Sequence, residues 1–94
     1  MDNLDGRETR RLTVRGEAGA VLVAGDTPME DVLERLASFE DLVDDVYGRY
    51  ADTLARIDSL RAAGKVKTVT YRQLTSNKVS LKETLDLFEE RGLL

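Results

Sequence analysis

One line of apolar side chains constrains this chain more than any other feature. It runs Val32, Leu36, Phe39, Val43, Val46, Tyr50, Thr53, Ile57, Leu60, in steps that alternate four and three. The mean spacing of about 3.5 residues belongs to a coiled-coil seam; a straight helix repeats at about 3.6. A chain so patterned forms a long helix and lays it against another apolar surface. Met29, Leu33, Leu42, Tyr47 and Leu54 widen the stripe on its flanks. Thr27-Pro28-Met29-Glu30 reads as the start, a capping box with Thr27 as N-cap, Pro28 as first helical residue and Glu30 reaching back. Gly64 reads as the stop. The expected helix, 28–63, is about 36 residues and about 54 Å long. Gly48 is where it would break, but the stripe keeps its phase through that residue, so the helix is expected to be continuous. A compact globule of 94 residues is only about 30–35 Å across. A rod of that length therefore needs a cover from outside its own domain.

The chain before the helix reads differently. Residues 1–9 show no periodicity and are expected as a flexible tail. Over 10–25, Leu12 and Val14 alternate with Arg11, Thr13 and Arg15, the period of a half-buried strand. Gly16 and Gly19 supply the turn of a β-hairpin, and the apolar run Ala20–Ala24 is expected to be covered on both faces. A lone two-stranded hairpin is marginal in water. The β-branched run Val66–Tyr71 is a candidate third strand. The stretch GAVLVAGDTP lacks the glycine-rich fingerprint and the lysine of a phosphate loop, so it reads as a turn. Arg7, Arg10, Arg11 and Arg15 read as charges that protect an edge strand.

After the reversal around Gly64–Lys67 a second stripe appears. Tyr71, Leu74, Lys78, Leu81, Leu85, Phe88 and Gly92 again step by three and four. One return helix over 70–91 would pair antiparallel with the first. Simple reflection sets 78–82 opposite 50–54 and brings Lys78 and Lys82 near Asp52. Lys78 would lie along the seam with its ammonium at the edge. The same stretch also divides into two short helices. Thr70-x-x-Gln73 and Ser80-x-x-Glu83 are both capping boxes, and Asn77-Lys78-Val79 would be the turn between them. Thr70, Leu74, Val79-Ser80 and the closing LFEERGLL resemble the helix-turn-helix of winged-helix transcription regulators. That resemblance implies DNA binding, with Leu81, Lys82 and Thr84 facing the groove. The intervals here are shorter than that family's. Glu83, Asp86, Glu89 and Glu90 would also make the recognition helix acidic against a phosphate backbone.

Composition narrows the chemistry. Cysteine and histidine are absent, which removes disulfides, thiolate zinc sites, thiol catalysis and the usual general base. No cofactor, metal or enzymatic role is expected. The net charge is −4, yet Gly64–Lys82 carries Lys65, Lys67, Arg72, Lys78 and Lys82 with no acid. Glu40, Asp41, Asp44 and Asp45 cluster on the first helix, where a solvated acidic face is expected ahead of a cation site. Tyr50 and Tyr71 lie on the two stripes and read as core. No apolar run approaches the roughly 20 residues that span a bilayer, so a cytoplasmic, non-membrane protein is expected.

These readings converge on an α+β fold. An N-terminal β-hairpin packs on a long antiparallel helical hairpin, coiled-coil-like, as one domain over 10–94. The expected function is a non-catalytic protein–protein interaction or assembly module that self-associates through the helical seam. Its contacts would be Val32, Leu36, Phe39 and Val43, where the return helix runs out. Its partner would be a second copy or another protein. The alternative is a small DNA-binding regulator using 70–91, through Arg72, Lys78, Leu81, Lys82 and Thr84.

Overall fold

The computed structural model describes residues 10–94. The tail expected over 1–9, with Arg7 in it, lies outside the described residues. Strand β1 (Thr13–Arg15) and strand β2 (Val21–Val23) pair antiparallel, with Thr13 opposite Val23, Val14 opposite Leu22 and Arg15 opposite Val21. A short 3-10 turn at Glu17–Gly19 joins them, with Ala18 and Gly19 at φ +57° and +79°. Those left-handed angles suit glycine and burden alanine. The Arg15 guanidinium donates to the Gly19 carbonyl at 3.1 Å and steadies the loop.

Two expectations about this sheet are corrected. Val21, Leu22 and Val23 are all exposed, so β2 is not covered on both faces. Among the described residues there is no third strand. Val66 lies in a turn, and Val69 to Tyr71 open the second helix. The helical stripe beginning at Tyr71 outweighs the local β propensity of four branched side chains, because tertiary burial decides where propensity is weak.

Helix α1 (Met29–Ala62, 34 residues) is continuous through Gly48. Its start departs from the expected capping box. The Thr27 hydroxyl donates backward to the Ala24 carbonyl at 2.6 Å, and the Thr27 amide donates to the same oxygen at 3.1 Å. Thr27 therefore closes a turn, and the Pro28 carbonyl takes the first helical amides, Asp31 at 3.0 Å and Val32 at 3.4 Å. The helix ends as expected at Gly64, whose φ is +69°. The Lys65 amide reaches the Leu60 carbonyl at 2.8 Å and the Gly64 amide reaches Arg61 at 3.0 Å, the paired bonds of a Schellman stop.

Helix α2 (Val69–Glu90, 22 residues) is a single helix. Its cap is Thr68, two positions before the expected Thr70. The Thr68 oxygen accepts from the Tyr71 amide at 3.1 Å while its hydroxyl donates to Lys65 at 2.9 Å. No turn interrupts 77–80. Gln73 donates to the Asn77 side chain at 3.1 Å across the supposed break. Thr75 and Thr84 turn their hydroxyls back onto the Tyr71 and Ser80 carbonyls, at 2.9 and 3.2 Å. Poor helix formers are thus satisfied inside the helix. Gly92, at φ +70°, closes α2 with a second Schellman pair, Leu93 to Phe88 at 2.8 Å and Gly92 to Glu89 at 3.0 Å.

The backbone divides into a unit ending at Ala37 and a unit spanning Ser38–Leu94. In the first, Arg35 on α1 donates to the Arg10 carbonyl beside β1 at 2.9 Å. In the second, α1 and α2 form the expected antiparallel helical hairpin. Its core is Val43, Val46, Ile57, Leu74 and Leu85, with Thr53 buried among them. All three α1 members of the stripe from Val43 to Thr53 that are buried, and Ile57 after them, lie on the seam read from the sequence.

Candidate assembly surface

Helical rise sets the geometry of the surface. At about 1.5 Å per residue α1 is about 51 Å long and α2 about 33 Å. The cleft lined by Arg49, Asp52, Thr53, Asn77, Ser80 and Leu81 sets 49–53 against 77–81, as reflection predicts. Continuing that pairing, Glu90 at the end of α2 falls near Asp41. α1 has further apolar residues before that point, and nothing on α2 is long enough to cover them.

The four predicted contacts divide accordingly. Leu36 is 53% exposed and Phe39 48%, both large apolar groups near the N-terminal end of the stripe. Val32 is half-buried. Val43 is only 9% exposed and belongs to the helical core. Met29 and Leu33 on one flank, and Leu42 on the other, are also exposed. Scattered exposed leucines are ordinary on a protein surface, whereas these lie within about four turns of one another along α1.

The DNA-contact set does not come together as a groove-reading surface. The helix-turn-helix that the resemblance implies is not formed, because α2 runs unbroken. Leu81 lines the cleft against α1, and Lys78 is half-buried on the seam side. Thr84 is half-buried with its hydroxyl bonded to its own helix. Arg72 is exposed. Lys82 forms an ion pair with Asp86 on its own helix, not with Asp52.

Electrostatics adds little chemistry. Asp86 raises the Lys82 ammonium above the ordinary lysine value by accepting its hydrogen bond. Of the acidic cluster, Asp45 is held by Arg49 at 3.0 Å. Among the described residues no group of three or more metal-ligating side chains gathers. Among the described residues no helix is long and apolar enough to cross a membrane.

Sequence reasoning missed one cross-helix contact. Arg61 Nε donates to the Tyr71 hydroxyl at 2.9 Å, with its guanidinium 6.0 Å from the ring centroid. The Tyr71 hydrogen bond raises the Arg61 pKa, with Asp58 a lesser contributor. The two residues flank the reversal symmetrically. The same reflection that set 78–82 against 50–54 carries the signal for this pair.

Comparison with protein-family models, with curated proteins and with solved structures finds no match to this chain.

Proposed function

We propose that this chain is a non-catalytic assembly module that self-associates through the apolar face of α1. One observation carries the reading. Leu36 and Phe39 stand about half exposed on a 34-residue helix whose partner has only 22 residues. Val32 borders the contact, and Val43 supports it from the core side. A second copy is the favoured partner because an amphipathic helix that presents one stripe meets an identical stripe across a two-fold axis. The absence of cysteine suits a reducing compartment, and the reading includes a cytoplasmic location.

Sedimentation equilibrium over a hundredfold range of concentration tests this (about two decades suffices for a weak dimer). The mass rises from one chain toward two as concentration increases. Phe39→Asp places a charge in the contact and returns the mass to one chain, with helicity unchanged. An unchanged mass for that variant rejects Phe39 as a contact.

A further inference from the structure

The hairpin has a free edge whose character differs from its other edge. The Gly16 amide bonds Ala20 at 2.7 Å and the Ala24 amide bonds Leu12 at 2.9 Å. Bonded and non-bonded pairs alternate along an antiparallel ladder, so Val14 and Leu22 are the bonded pair between them. The N–H and C=O of Val21 and Val23 therefore point away from β1. Among the described residues nothing pairs with them. Val21 and Leu22 are 57% and 53% exposed, and Ala20 to Ala24 contains no charge and no proline. The β1 side is different: Arg11 donates to the Thr13 carbonyl at 3.2 Å on its outer edge, while Arg15 turns to the loop.

We infer that β2 is completed by β2 of a second copy, giving a four-stranded sheet across a two-fold axis at Leu22. The inference rests on the reading that the chain self-associates, and names the backbone that does so. Strand β2 is its own complement in antiparallel register. Val21 of one copy faces Val23 of the other in a bonded pair, and Val23 faces Val21. Leu22 meets Leu22 in the close, non-bonded pair on the axis. The third strand that a hairpin needs is not supplied by 66–71, which forms a turn and a helix start. Arg11, bonded to the outward Thr13 carbonyl, discourages further addition at the outer edges, so the sheet closes at two copies rather than growing.

The lack of native cysteine makes the test direct. Leu22→Cys puts one thiol per chain on the proposed axis, and Glu17→Cys serves as an exposed control in the loop. Under mild oxidation Leu22→Cys cross-links to a two-chain product about tenfold or more faster than the control, because paired thiols are held at high effective concentration. Val23→Pro removes an outward amide while leaving the bonds to β1 intact; it lowers the fraction of dimer without loss of helicity. A dimeric chain whose Leu22→Cys variant cross-links no faster than the control overturns the β2 interface and leaves the α1 contact standing. A chain of single mass at every concentration overturns both. A mass that grows beyond two chains overturns closure.

Discussion

Thr68 shows how one hydroxyl sets the start of a helix. It accepts from the Tyr71 amide and donates to the Lys65 carbonyl, so it ties α2 to the reversal that precedes it. Thr68→Ala should cost about 1 kcal/mol in urea unfolding, the usual loss for an N-cap. Thr70→Ala should cost less than about 0.5 kcal/mol, as at an ordinary exposed position. Equal losses would mean that Thr68 does not cap the helix in solution. The sequence pointed to Thr70 because Gln73 completes a capping box there. It could not show that the tight turn after Gly64 brings the Lys65 carbonyl to Thr68. The stops were legible, since Gly64 and Gly92 supply the positive φ that other residues resist. The start at Thr27 was not, because the capping-box pattern does not show that this hydroxyl turns back onto the Ala24 carbonyl.

Within the helical elements, burial separates residues that look alike in sequence. Ile57 is 2% exposed between α1 and α2, whereas Leu33 on the same helix is open to solvent. Ile57→Ala should destabilise the chain by about 2–5 kcal/mol, the range for a truncated core aliphatic. Leu33→Ala, measured at a concentration where the chain is monomeric, should change stability by less than about 0.5 kcal/mol. Comparable losses at both positions would mean that Leu33 is covered within one chain. The seven-residue repeat made both helices legible, and it decided correctly for one return helix over two. Where it failed was β2. An uninterrupted apolar run suggests a strand covered on both faces, yet the structure leaves Val21–Val23 exposed. Such a run reports what a strand needs to bury; it does not say whether its own chain provides the cover.

For the whole molecule, the absence of histidine leaves no side chain with an ordinary pKa near neutrality. The Lys82 ammonium and the Arg61 guanidinium act outside that window. Lys82 and Arg61 are both raised. A raised base contributes stability that is complete below its unfolded value and is lost only as pH climbs through its folded one. The thermal midpoint should therefore stay level between about pH 6 and pH 8. Over the same range it should rise with protein concentration, because association draws on the folded state alone. A midpoint insensitive to concentration would argue for a free-standing monomer.

Gly48 sits midway along α1 with open space around it, and a methyl group added there would meet nothing within 4 Å. A glycine in a helix interior gives up about 1 kcal/mol relative to alanine. The long shaft thus carries its least helix-favouring residue near its middle, inside the stretch that α2 runs alongside. An alanine in its place would firm the whole rod, and no side chain would have to move to admit it.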